Sequence, residues 1–190
     1  MPETGPFHAV RFYESPDSLA QMVAAFAAEG LIGGHPAIIF ATPEHRHATA
    51  QQLAAIGFDV EQLTTRGDLF ILDAREMLAT FMVDGMPDAD RFEESVLALI
   101  DRACRDRPGC IIRAYGEMVD VLWKDGMEAA AIRLEMLWNQ LATTRRFSLM
   151  CGYSMGSFYK NAGFDDICGQ HTHVVAPDGG VAPLTSARPH

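Results

Sequence analysis

Cysteine is scarce in this chain of 190 residues. Cys104, Cys110, Cys151 and Cys168 contain no CxxC pair, and a chain of this size folds without staples, so free thiols are expected and a disulfide framework is not. Basic residues are also few. Fifteen Lys and Arg stand against 25 Asp and Glu, a formal net charge of −10 that removes the counterion-release drive for gripping nucleic acid or anionic lipid. No stretch approaches the ~18 consecutive apolar residues of a membrane span. The start, MPETGPFHAVRFYESPD, has no basic region leading into an apolar one, so no secretory signal is read and the cytoplasm is the expected compartment. Internal repeats at solenoid periods are missing as well, which excludes stacked-repeat architectures.

What remains is the composition of an ordinary globular chain, with 48% hydrophobic and 21% charged residues and a mean hydropathy of +0.02. At roughly 100 to 200 residues per domain, one compact domain is expected. His8 to Tyr13 (HAVRFY) reads as a β-strand stopped by Glu14-Ser15-Pro16, and Asp17 or Ser18 then caps an alanine-rich helix to Glu29. After the breaker GLIGGHP comes AIIFA, Ala37 to Ala41, a continuous apolar run suited to a strand buried on both faces. Thr42 is placed to cap the next helix, with Pro43 at its first position and Gly57 as its stop. The unit recurs: LFIL with Asp73 as cap, AREMLATFMV, a turn at Asp84 to Asp88, and a helix from Asp90 to about Arg105. CIIRAY, an amphipathic helix from Met127 to Leu141 and FSLMCGY follow. Then come a short helix from Ser154 to Gly163, a helical turn at Asp165 to Cys168 and an edge strand at His173 to Val175. Alternation of strands with helices predicts a three-layer α/β domain, its mostly parallel sheet covered on both faces. Residues 1–6 and 177–190 read as flexible ends, because APDGGVAPLTSARPH has no periodicity.

In an open α/β sheet, ligands bind beyond the carboxyl ends of the strands, where helix N-termini converge. Those ends, with the helices that follow them, offer Tyr13, Glu14, His45, Arg46, Tyr115, Glu117, Trp123 and Tyr153, a polar and aromatic lip for a mostly apolar pocket. Thr42 and Asp73 read as plain N-caps. A nucleotide site would need GxxxxGK[ST] after a strand, whereas TPEHRHAT has neither glycine nor lysine and puts Glu44 at the helix terminus. GYSMG matches the GxSxG elbow of hydrolases. It leaves Ser154 as an alternative nucleophile, with His171 or His173 and Asp165 or Asp166 as partners.

Metal is not expected. His45 and His47 lie about 200° apart on a helix and read as surface residues. Cys168, His171 and His173 form CxxHxH but show no fourth ligand. On the Met127 to Leu141 helix, Arg133 and Glu135 either form a solvated ionic face or, if buried, require partners such as Glu117 or Arg113.

HAVRFYE, AIIFATPEHR, LDAREMLATFMVDGMPD, RAYGEMVDVLW, AIRLEMLWNQL and FSLMCGY, in this order over residues 7 to 176, resemble the MEDS domain, a sensory domain of methanogen and methylotroph regulators. The resemblance implies a RecA-like or KaiC-like fold with a degraded phosphate loop, TPEHRHAT standing in its place. It further implies a non-enzymatic input domain for a small hydrocarbon-type ligand, with no cofactor, feeding DNA-binding or kinase modules. No such module fits after Ala176, so the expected partners are a small-molecule ligand, a separate signalling protein or output module, or a second copy in a homodimer, with neither nucleic acid nor membrane bound directly. The alternatives are residual nucleotide binding and hydrolysis at Ser154.

Overall fold

The computed structural model of the chain describes residues 7–157, 164–176 and 180–184. Its strands are β1 (His8–Tyr13), β2 (Ala37–Ala41), β3 (Leu69–Asp73), the short pair β4 (Met82–Val83) and β5 (Met86–Pro87), β6 (Ile112–Gly116), β7 (Phe147–Ser154), β8 (His173–Val175) and β9 (Val181–Pro183). Among the described residues the main sheet has seven strands in the order β3-β2-β6-β7-β1-β8-β9. All neighbours are parallel except β8 and β9. The α/β reading therefore stands.

The helices divide the sheet into two cores. On one face, α1 (Pro16–Ile32), α2 (Pro43–Ala55) and α3 (Val60–Arg66) cover Ala9, Tyr13, Ile39, Tyr115 and Met150. On the other, α4 (Ala74–Phe81), α5 (Ala89–Ala103), α6 (Met118–Lys124) and α7 (Glu128–Ala142) cover Val10, Ile38, Phe40, Leu149, Cys151 and Tyr153. Side chains alternate along a strand, which is why neighbours such as Ile38 and Ile39 enter different cores. Both faces are sealed, so β2 is buried at every position, as its unbroken apolar run implies.

Several local expectations are corrected. Ser15, not Asp17 or Ser18, caps α1 by accepting from the Ser18 amide, and the helix runs through Gly30 to Ile32. Gly30 sits inside it where a Cβ would collide with the side chain of Arg113, whose guanidinium lies over Phe7 and Phe26. Thr42 holds the N-cap position of α2 without using its side chain, whereas Asp73 caps α4 through the Arg75 and Glu76 amides. The predicted helix at AREMLATFMV ends at Phe81, and Met82–Val83 turns into a hairpin through Asp84 and Gly85, both at positive φ. Within the segment read as a tail, Val181–Pro183 pairs with β8. Of the helix expected over Ser154 to Gly163, Ser154 instead closes β7, Met155–Ser157 forms a single 3-10 turn, and residues 158–163 lie outside the described residues.

Two cysteines depart from the free-thiol expectation. The chain leaving α5 folds back through Asp106 and Gly109 (φ 61° and 76°), and Cys104 and Cys110 are joined with their Cα atoms 5.7 Å apart. A spacing of six carries no motif, so sequence gave no signal for the pair. Cys151 and Cys168 are free.

Candidate functional site

Adjacent strands β2 and β6 send their following helices to opposite faces, which opens a crevice beyond their carboxyl ends. Glu117 fills it. The backbone ladder between these strands ends where the Glu117 amide donates to the Phe40 carbonyl at 2.9 Å. Beyond that point the Glu117 side chain replaces the backbone as acceptor, taking the Thr42 amide at 3.0 Å on Oε2. Its Oε1 faces His45 Nδ1 at 2.6 Å and accepts from the Tyr115 hydroxyl at 3.1 Å. Glu117 is only 1% exposed and His45 only 8%. So far from solvent, the carboxylate oxygens are met by donors from the protein itself.

One helical turn on, Asp120 serves the neighbouring crevice between β7 and β1. It accepts from the Ser154 amide at 3.0 Å on Oδ1 and from the Tyr13 hydroxyl at 3.0 Å on Oδ2, with Lys124 Nζ 2.7 Å away. The spacing i, i+3 puts both carboxylates on one side of α6, so a single helix terminus ties four strand ends together. Tyr13 links the two halves, its ring edge-on to the His45 ring at 5.8 Å.

The electrostatics follow from this packing. The hydrogen bond to Glu117 raises the His45 pKa, and it outweighs burial, which acts in the opposite direction. Burial, then the charges of Asp120 and Glu117, push the Tyr13 hydroxyl far up, so it remains a donor. Tyr115 is raised by burial and by Glu117 in the same way.

Of the eight residues expected at the strand ends, the structure joins His45, Tyr115 and Glu117 by hydrogen bonds and sets the Tyr13 ring against His45 in the same layer. Arg46 lies beside it, bridged to Asp73 at 3.2 Å, and Glu14 is exposed at the rim. Trp123 and Tyr153 do not join. Both belong to the opposite core, where their rings meet edge to face at 6.4 Å, because Tyr153 precedes Ser154 on β7 and strand alternation turns it away. His47 is exposed as expected, whereas His45 is not. Two clefts lined by described residues, of about 170 Å³ between α5 and α7 and about 280 Å³ beside Thr64 to Gly67, lie away from the layer.

Sequence reading missed Asp120 and misjudged Glu135. Glu135 is fully buried, and its partners are neither Glu117 nor Arg113 but His8, His171, Cys151 and Tyr153. Burial alone would raise the Glu135 carboxyl, but His171 and His8 outweigh it and hold the group below its usual range.

The serine-hydrolase arrangement is not assembled. Ser154 aligns with Tyr13 and His173 with Ala9 on the same strand, a separation of about 13 Å along β1 at ~3.3 Å per residue. His171 is held by the Ile167 carbonyl and Glu135 in the other core, and Asp165 and Asp166 are exposed.

Comparison with known proteins adds the family. Residues 7–172 match the model of the MEDS domain, described as the methanogen/methylotroph, DcmR sensory domain. The chain belongs to the MEDS family. A KaiC-like protein from the hyperthermophilic archaeon Pyrococcus horikoshii OT3 has a similar structure, with a TM-score of 0.61 at 11% identity, over 90% of this chain and 71% of that one. At that identity the likeness concerns the fold, and this MEDS domain has a RecA/KaiC-like architecture. No curated protein matches the sequence. Among the described residues, no helix is long and apolar enough to cross a membrane.

Proposed function

We propose that this MEDS domain is a non-enzymatic input domain that takes a small, largely apolar ligand at the layer of Tyr13, His45, Tyr115 and Glu117 and passes the change to an output module or a second copy of itself. The observation that carries this reading is the position of Glu117. A buried carboxylate receives the Thr42 amide at the strand-to-helix turn where a nucleotide-binding relative would present amides to phosphate. Negative charge there repels phosphate. A second strand-to-helix junction, Glu14-Ser15-Pro16-Asp17 after β1, also lacks glycine and lysine and carries two acids. A loop that neutralises phosphate is therefore missing at both, in keeping with degraded nucleotide motifs.

The layer also suits switching. Thr42 on the β2–α2 turn, His45 on α2 and Tyr115 on β6 all depend on one acceptor, so a ligand that displaces any of them changes how α2 sits on the sheet. A ligand shifts such an equilibrium only by binding one arrangement better than the other. The output surface is a separate part of the proposal. Helix α7 buries Ala130, Ala131, Leu134, Leu137, Trp138 and Leu141, which leaves little of its apolar face for a partner. Phe158 and the Phe164 side chain, the other expected contact, lie outside the described residues.

Calorimetry with magnesium-ATP, together with native mass spectrometry of the chain isolated from its own host, tests both parts. The expected result is no heat with the nucleotide, a retained small mass and a dimer or a bound partner. Magnesium-dependent ATP binding with turnover lost on changes between Thr42 and Thr49 would overturn the non-enzymatic reading. A strictly monomeric species without partner across micromolar concentrations would overturn the association.

A further inference from the structure

Apart from the strand-end layer, the opposite core holds four metal-ligand side chains from four segments: His8 on β1, Glu135 on α7, Cys151 on β7 and His171 just before β8. All four are buried, and one donor atom from each falls within 4.8 Å of the others. We propose that they form a closed four-ligand site for zinc, or a comparable late first-row divalent cation, that pins the α8 (Phe164–Cys168) and β8 segment to the sheet.

Geometry carries the assignment. His8 Nε2 lies 3.2 Å from Glu135 Oε2 and 3.4 Å from Cys151 Sγ, and Sγ lies 3.4 Å from the same carboxylate oxygen. Those three atoms make a nearly equilateral triangle. With bonds of about 2.0 Å, a tetrahedral centre spaces its ligands by about 3.3 Å, and by slightly more where sulfur is one of them. His171 Nε2, 3.4 Å from the other carboxylate oxygen, is the fourth donor of a group whose ligand atoms all lie within 4.8 Å of one another. An imidazolium paired directly with a carboxylate would close to roughly 2.7–2.9 Å. Instead His171 Nε2 stays 3.4 Å from the carboxylate without a well-formed hydrogen bond, although its side chain is completely buried. A buried ring nitrogen that faces three other donor atoms in this way is positioned to act as a ligand.

The surrounding groups orient the donors. His8 Nδ1 lies 2.8 Å from Asn139 Oδ1, and His171 Nδ1 lies 2.7 Å from the Ile167 carbonyl. An acceptor at each Nδ1 places the ring proton there and leaves each Nε2 lone pair pointing inward, the arrangement that fixes metal-bound histidines. Tyr153 donates to Glu135 Oε1 at 2.7 Å, and Asn139 donates to the Gln170 carbonyl at 2.8 Å. Charge matches as well: one thiolate and one carboxylate neutralise a divalent cation, the two imidazoles add none, and binding releases the cysteine proton to solvent. Four protein donors leave no open position, which marks a structural site and not a catalytic one. Of the CxxHxH run, only His171 takes part. Cys168 is half-buried, and His173 turns to Thr172 and Phe7.

The test is metal analysis of the full chain produced with zinc supplied, followed by cobalt reconstitution of the stripped protein. The expected result is about one zinc per chain, tetrahedral cobalt bands in the visible, and a thiolate-to-cobalt band in the near ultraviolet that Cys151→Ser removes. His171→Gln should lower zinc affinity by more than tenfold. Because a donor variant can fail to fold, Asn139→Ala, which keeps all four donors, gives a second measure, with affinity expected to fall about 10- to 100-fold. A folded wild-type chain that takes up neither zinc nor cobalt would overturn the proposal. So would cobalt spectra identical in the wild type and Cys151→Ser.

Discussion

The ring of Tyr115 lies across Gly152 so closely that a Cβ at 152 would be 3.1 Å from two of its ring carbons and inside the contact radius of its hydroxyl. The missing side chain on β7 is therefore what lets Tyr115, on the neighbouring strand, lie flat and reach Glu117. Gly152→Ala should cost roughly 1–3 kcal/mol by overpacking. Tyr115→Phe, which removes the hydroxyl, should recover part of that loss, so the double variant is less destabilised than the sum of the singles in a denaturant-melt cycle. Strict additivity would mean the two positions do not press on each other.

Glu117 satisfies three donors, and removing it strands them. Glu117→Ala should destabilise the domain by about 3–5 kcal/mol, since the Thr42 amide, His45 and the Tyr115 hydroxyl lose their acceptor in a dry site. Glu117→Gln keeps the shape and some of the bonds and should cost less. Urea melts of both variants check this, and equal losses would show that shape and not hydrogen bonding is at stake.

The folded state holds the His45 pKa above its ordinary value of 6.5, mainly through the Glu117 hydrogen bond. A raised pKa means that protonation favours folding, so this contribution is complete below about 6.5 and fades as pH rises through the folded-state value. The difference in stability between wild type and His45→Gln should thus shrink from pH 6 towards alkaline pH, with a slope of at most about 1.4 kcal/mol per unit. Glu44 and Lys124 also act on His45, with opposite signs, so the comparison must be made at constant ionic strength. A difference that grows with pH would reverse the assignment.

The Cys104–Cys110 bridge closes a loop of only a few residues, so its contribution on the chain-entropy account is small, of order 2 kcal/mol. Cys104→Ser and mild reductant should lower the melting temperature by a similar modest amount and leave the strand-end layer unchanged. Thiol counting on protein released from its host reports the compartment: four reactive thiols after denaturation would indicate a reducing one and two an oxidising one.

Much of this domain was written in local pattern. The continuous apolar run of β2 predicts a strand covered on both faces, and the alternation of such runs with helical periods predicts the parallel α/β sheet. Both depend on side-chain spacing along a few residues, which sequence displays directly. The same logic singles out Glu117 and His45 at the strand ends, and the structure joins them in one hydrogen bond. Sequence could not determine which strand-end residues share a face with them. Trp123 and Tyr153 were placed with that layer on proximity along the chain, but one residue of strand alternation puts Tyr153 in the other core. The cluster of His8, Glu135, Cys151 and His171 spans 164 positions and belongs to no motif. Its members meet only because β1 pairs with both β7 and β8 while α7 crosses over them, and sheet order is a global property. Burial decided the character of Glu135 in the same way: a helical glutamate looks solvated until the strands beneath it are known to carry two imidazoles and a thiol.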